Sequence, residues 1–335
     1  MNKFLKTSIE LKEYYKNNIL VNLSPPSGYR SRCEFGYKNN FYTMVSGNER
    51  IFLRRFDMPV IAIQNIMEPL LDHLKKNKIL DQKLFQINFR AVKNEVLVTL
   101  IYHKELDQDW HDRAIDAANK LKVNIIGRSR KQLVATNHCE LEERVEIMNP
   151  FLLYQDDKTF YQPNKYLMPK MIDFAISLID DPQDLLELYC GCGTFTIPMS
   201  NYFRKIFATE NNRKSVYYLN KAINNNKVTN IFNARISDIE LNEAFNGRKF
   251  TRMKDIELKD YNFSHVLVDP PRSGLNENVV NMLNNFKNII YISCNPITFK
   301  RDLNNLTNYK IYKMQMFDQF ANTQHLELIA LLTRK

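Results

Sequence analysis

Apolar positions follow two different rules in the two halves of this chain. In the second half they come in short, nearly unbroken runs at 185–190, 205–210, 231–236, 265–269, 289–294, 310–316 and 326–333. Helical stretches begin between them near Thr194, Arg213, Asn276 and Pro296. Apolar runs of strand length that alternate with helices predict buried parallel strands. The last two runs follow one another without a helical crossover, which predicts an antiparallel pair at one edge. In the first half, apolar and polar residues alternate instead. Residues 28–35 read as a strand, with 41–45 as its partner after the turn Lys38-Asn39-Asn40. Residues 84–92 and 96–102 read as a hairpin closed by Lys93-Asn94-Glu95. A helix is predicted over 107–120, with Ala114, Ala117 and Leu121 on one face, and short strands over 123–128 and 133–136.

The second half therefore reads as α/β: a Rossmann-like, doubly wound sheet of seven mostly parallel strands. That strand order suits a methyltransferase-type cofactor domain more naturally than a nicotinamide dehydrogenase. The first half reads as a separate α+β domain. The boundary falls near Asn149-Pro150, giving domains 1–150 and 151–335.

Composition adds a partner. The chain has 335 residues, 44% of them hydrophobic and 25% charged, which is ordinary globular material for two domains. Its net charge of +10 favours a polyanion, either nucleic acid or an anionic membrane surface. No stretch approaches the roughly 20 apolar residues of a membrane span, and Met1 to Thr7 carry no secretory signal pattern. The expectation is a cytoplasmic protein that does not engage membranes. Five scattered cysteines suit a reduced protein better than a disulfide framework. Cys190-Gly191-Cys192 has the wrong spacing for a zinc knuckle and no four-cysteine cluster occurs, so no metal is expected.

The candidate chemistry lies where the predicted strands end. Two of only 8 glycines, Gly191 and Gly193, follow the first strand, and glycines there let the backbone approach a ligand. A third glycine is missing, since Ile197 stands in its place. That points away from a pyrophosphate. Glu210 ends the second strand about 20 positions on, where a carboxylate can accept from ribose hydroxyls; together these features favour an adenosine cofactor. The fourth strand ends in Asp269-Pro270-Pro271-Arg272, and two prolines hold the acid still. Related motifs with an aromatic after the prolines serve exocyclic amines; Arg272 in that place argues against such chemistry. Cys294 ends the fifth strand just before Pro296. It is either a small core residue or a nucleophile, and a helix N-terminus beside it would favour the thiolate. Glu327 opens the last strand, with His325 as a rival base. A thiolate plus a base is what methylation at uracil C5 requires. Addition of sulfur at C6 makes C5 nucleophilic, and a base must then remove the C5 proton.

Taken together, these segments resemble the tRNA (uracil-5-)-methyltransferase family, TrmA type. The likeness is carried by Phe160-Tyr161-Gln162-Pro163-Asn164, by 185–191, by Ala208-Thr209-Glu210, by 268–275, by 291–296 and by Asp318-Gln319-Phe320. In the first half it is carried by 29–35, 83–87 and Tyr102-His103-Lys104. The resemblance implies a class I enzyme dependent on S-adenosyl-L-methionine that makes 5-methyluridine at position 54 of the tRNA T-loop. Other RNAs with a T-loop-like hairpin are further candidate partners, and a monomer is expected. Cys294 is implied as the nucleophile on a flipped uridine and Glu327 as the proton acceptor. Gln162, Tyr189, Thr194, Glu210 and Asp269 are implied in cofactor binding, with Thr194 standing where the family often has Asn. Residues 321–324 also depart from the family's usual Pro-Tyr-Thr-His. The first domain is expected to bind RNA through Arg30, Arg32, Phe35, Phe85 and Arg90. Ribosomal RNA methylation, cytosine-C5 methylation and tRNA remodelling without methylation are the competing readings.

Overall fold

Two large sheets organise the chain, one for each apolar pattern. The computed structural model describes residues 2–335. Its elements begin with α1 (Lys3–Glu10), β1 (Leu20–Asn22), β2 (Arg32–Lys38), β3 (Phe41–Ser46), β4 (Glu49–Leu53), α2 (Ile61–Lys76) and α3 (Lys78–Asp81). There follow β5 (Leu84–Val92), β6 (Glu95–Tyr102), α4 (Gln108–Leu121), β7 (Asn124–Ser129) and β8 (Gln132–Ala135). The strands of this half form a seven-stranded sheet ordered β4-β3-β2-β5-β6-β7-β8. Alternation buries one face of it, where Phe35, Ile87, Phe89, Val98 and Leu100 pack against Met67 and Leu71 of α2 and Trp110 and Ala114 of α4. The predicted hairpin is β5–β6, with Lys93 in the left-handed region at φ 51°.

Next come the antiparallel pair β9 (Glu140–Val145) and β10 (Phe151–Asp156), then α5 (Met168–Ile176), β11 (Asp184–Leu188), α6 (Thr196–Met199), β12 (Lys205–Thr209) and α7 (Arg213–Asn225). The chain continues through β13 (Ile231–Ala234), α8 (Asp238–Phe245), β14 (Phe263–Val268), α9 (Glu277–Leu283), β15 (Asn288–Ser293), α10 (Pro296–Asn305), β16 (Tyr309–Phe317) and β17 (Glu327–Arg334). The second sheet runs β1-β16-β17-β15-β14-β11-β12-β13. Strands β11 to β15 are mutually parallel, and β17 lies antiparallel between β15 and β16. Apolar layers cover both faces, which is why the parallel strands read as continuous runs.

Three expectations change. The sheet has eight strands rather than seven, because β1 pairs in parallel with β16 over Leu20↔Gln315 to Asn22↔Phe317. The antiparallel pair is therefore not the edge: β17 is internal and β1 covers part of β16. The opening residues also belong with the second sheet, where Leu11 and Tyr15 join the apolar layer on one of its faces. A division at 150 puts residues 3–22 with the wrong sheet.

Candidate active site

Parallel strands carry their carboxyl ends to one edge, and the sheet uses that edge. Gly191, Glu210, Asp269 and Cys294 follow β11, β12, β14 and β15 in turn. Strand β17 runs the other way, so its first residue, Glu327, stands at the same edge. Its register with β15 pairs Ser293 with Leu328. Cys294 and Glu327 are the next residues along the two chains at this edge. A cavity of about 630 Å³ opens there, lined by Gln162, Tyr189, Gly191, Glu210, Asp269, Cys294 and Glu327, with Arg32, Phe160, Arg272, Phe320 and His325 nearer the first sheet and the 318–326 loop.

Local backbone conformation shapes the cofactor side of the cavity. Tyr189 adopts φ 60° and Gly191 φ 56°, turning the chain sharply after β11. A Cβ at Gly191 would point into open space, so glycine is required there by its backbone angle rather than by crowding. The Gly191 N–H donates to Glu210 Oε2 at 3.1 Å, and the Asn212 N–H donates to Glu210 Oε1 at 2.7 Å. Asn212 also caps α7 by accepting from the Lys214 and Ser215 amides. Tyr189 Oη donates to Asp238 at 2.6 Å, and Asn276 Nδ2 donates to the same oxygen. Gln162 is buried and accepts from Gln319 Nε2 at 2.6 Å. Of the five expected cofactor residues, Thr194 alone is absent from the cavity wall. It lies in the turn before α6.

The thiol end is electrostatically loaded. Burial, then the carboxyls of Glu327 and Asp269, push the Cys294 thiol up to about 11, against the pull of Arg272. The expected thiolate is therefore not favoured in this state, chiefly because the thiol is buried. Helix α10 is capped by Asn295, whose side chain accepts from Ile297 N and donates from Nδ2 to Arg272 O at 3.0 Å. That bond ties the Pro-Pro-Arg loop to the nucleophile's helix. Glu327 is 3% exposed, and burial, then Asp269, hold its carboxyl well above the usual range. Burial raises Asp269 as well. Beneath them Glu187 on β11 is pushed up to about 8, chiefly by burial. A cation among these acids would reverse the push on each. His325 is lowered by burial, then by Arg272 and Lys3, and Arg272 Nη2 sits 3.0 Å from its Nδ1. Its lone pair is thus engaged, which weakens it as the rival base.

The expected RNA residues separate by burial. Arg32 lines the cavity and pairs with Glu34. Arg30 lines an adjoining cavity of about 350 Å³, which shares Arg32, Phe160 and Phe320 with the first. Phe85 stacks on the exposed His103, centroids 3.8 Å apart. Phe35 and Arg90 are both buried, although Phe35 also lines the smaller cavity. Phe35 is 3% exposed and packs against Tyr42, Phe56 and Phe89. Arg90 is 4% exposed and donates to Gln155 Oε1 at 2.9 Å and to Thr159 O. It joins β5 to the segment after β10. Alternation shows which residues share a face, not which face the helices cover. Sequence reasoning missed Phe160 as a site residue; it is 60% exposed between the two cavities. Its place two residues before Gln162 was the available signal. Among the described residues, no His, Cys, Asp and Glu cluster could hold a metal, and no helix is long and apolar enough to cross a membrane.

Known proteins share this arrangement. The family model described as tRNA (Uracil-5-)-methyltransferase matches residues 2–335. A tRNA/tmRNA (uracil-C(5))-methyltransferase of Campylobacter concisus is 42% identical over 331 residues, covering 96% of this chain and 90% of the relative. One from Saccharophagus degradans is 40% identical, covering 98% and 94%. In fold, the chain matches a solved Pyrococcus abyssi tRNA (uracil-54, C5)-methyltransferase in complex with S-adenosyl-L-homocysteine. The TM-score is 0.77 at 22% identity, covering 99% of this chain and 83% of that one.

Proposed function

Because the chain belongs to the tRNA (uracil-5-)-methyltransferase family, we propose that it methylates C5 of the T-loop uridine at position 54 of tRNA through a covalent bond between Cys294 and uracil C6. The single observation that carries this reading is that Cys294 and Glu327, the residues next to the Ser293–Leu328 pair, both line the wall of one cavity. A nucleophile and a base at the wall of one cavity can act on adjacent ring carbons.

The cavity suits S-adenosyl-L-methionine. Glu210 offers two oxygens at the end of β12, Gly191 turns open backbone toward the space, and buried acids await a cation. Gln162, Tyr189, Gly191, Glu210 and Asp269 would hold the cofactor, which supplies an electrophilic methyl group on a sulfonium when bound. The chain's own residues do the rest. Cys294 in its thiolate form bonds to C6 of the extruded uracil, and electron density moves to C5, which takes the methyl group. Glu327 carboxylate then takes the C5 proton. The electrons of that C–H bond restore the C5–C6 double bond and expel Cys294 as thiolate. The balance is one methylated base, a regenerated nucleophile and one proton on Glu327.

The relatives named above act on tmRNA as well as tRNA, and a T-loop-like hairpin in any RNA presents the same uridine. The basic charge supplies attraction to phosphate, while Arg30, Arg32 and Phe85 are the surviving first-sheet candidates for contact. Incubating the protein with labelled S-adenosyl-L-methionine and unmodified tRNA tests the reading. Label in 5-methyluridine of the T-loop is expected; label in another nucleoside or another loop overturns it.

A further inference from the structure

We propose that Lys3 is a positioning residue for the methyl-transfer reaction: its ammonium ties together the two ends of the loop that carries the chain into Glu327. The proposal rests on the reading of Glu327 as the proton acceptor.

The loop spans 318–326 between β16 and β17, and Phe317 pairs with Glu327 across its base. Phe320 and His325 reach the cavity beside Glu327. Lys3 lies on α1, more than three hundred residues away in sequence, and its side chain is 9% exposed. Its Nζ stands 2.6 Å from Asp318 Oδ1, donates to Phe320 O at 2.9 Å and donates to His325 O at 2.7 Å. An ammonium has three protons and no other capacity. Two donations go to carbonyls of this one loop and the charge lies against Asp318, so the outgoing strand side and the returning side are both held.

Other bonds hold single points. Tyr29 Oη donates to Ala321 O at 3.0 Å, Asn322 Nδ2 to Pro26 O at 3.0 Å, and Gln319 Nε2 to Gln162. Inside the loop, Thr323 Oγ1 donates to Phe320 O and accepts from the His325 N–H; among the described residues outside the loop, Lys3 is the side chain that bonds both flanks. Helix α1 itself has little else to do there. Only Thr7 of its eight residues is buried, while Leu5 and Ile9 are more than half exposed. A long, costly-to-order side chain held this way contributes through what it fixes rather than through buried area. Without it, the buried Asp318 carboxylate and two carbonyls lose their cation, and the loop can move Glu327 off the C5 proton. A shift of about 1 Å at a reacting group can cost roughly 100-fold in rate.

Three variants test this on the full chain with unmodified tRNA: Lys3→Met, Lys3→Arg, and Lys3→Met with Asp318→Asn, which removes the orphaned charge. Turnover, KM for tRNA, melting temperature and the fraction of RNA held covalently are measured together, with Glu327→Gln alongside. In Lys3→Met, kcat should fall about 10- to 100-fold with KM nearly unchanged. Covalent RNA should accumulate because proton removal lags behind sulfur addition. Lys3→Arg should restore most of the rate, and the double variant should melt close to the parent yet stay slow and adduct-rich. Parent-like turnover in the double variant, or slow turnover without added adduct, overturns the proposal alone. A Glu327→Gln protein that gathers no adduct overturns the Glu327 reading and takes this proposal with it.

Discussion

The two sheets place their working residues in opposite ways. In the eight-stranded sheet the candidates stand at strand ends, so parallel topology alone brings Gly191, Glu210, Asp269 and Cys294 to one edge. In the seven-stranded sheet the candidates stand on strand faces. There Arg32 reaches a cavity while its neighbour Phe35 is core and Arg90, paired directly across from Arg32, is locked by Gln155 and Thr159. An end is fixed by connectivity; a face depends on which side the helices cover. A sequence reveals the first far more directly than the second.

Substitutions can break or sharpen that contrast, and the largest effect belongs to the strand ends. Cys294→Ala should cut methyl transfer by at least about 10⁴-fold and abolish the stable adduct with 5-fluorouridine-substituted RNA, read by denaturing gel. Fluorine at C5 blocks proton removal, so any adduct still formed by Cys294→Ala would move the nucleophile elsewhere. The face residues come next and should split. Phe35→Ala should destabilise by about 3–5 kcal/mol in denaturant melts, with tRNA affinity of the folded fraction unchanged. Phe85→Ala should do the reverse, costing about 1–3 kcal/mol of RNA affinity and little stability. Equal RNA losses from both would erase the distinction between the faces.

The last effect, smallest when read over a single pH unit, is a pH dependence beneath the strand ends. Folding raises Glu187 to about 8, above the unfolded value of about 4.3. Its neutral form is the one the fold favours, so the stability it lends is full below the unfolded value and is lost as pH rises toward the folded one. Glu187→Gln stays neutral throughout. Its melting advantage over the parent should therefore grow between pH 5 and 8.5, by no more than about 1.4 kcal/mol per pH unit. A constant difference would mean that Glu187 is ionised in the fold.

The parallel strands were legible because burial on both faces leaves them as apolar runs that end at glycine, acid or cysteine. The predicted runs at 265–269 and 289–294 became β14 (Phe263–Val268) and β15 (Asn288–Ser293), shifted by a residue or two. Helix α2 was harder to see because Pro69 interrupts it. Strand β1 is three residues long, too short to show any period. The pair β9–β10 hides its alternation under Glu140, Glu142 and Glu143. At the site, Cys294, Glu327, Glu210 and Asp269 were readable because motifs fall at strand ends. The upward push on the thiol was not, since it comes first from burial and then from two acids that meet Cys294 only in space.

Strand β17 gives the protein a timetable. It is made last of all the strands, yet it enters the middle of its sheet, between β15 and β16, with Glu327 at its head. Lys3 and Phe320, which meet at that strand's approach, are 317 residues apart. At translation speeds of about 5–20 residues per second, the early lysine waits roughly 15–60 s for its loop. Until then the nascent chain holds Gly191, Glu210, Asp269 and Cys294 but not Glu327. Of the residues that line the cavity, Glu327 is the last to be made, and the strand it heads is the one that closes the sheet.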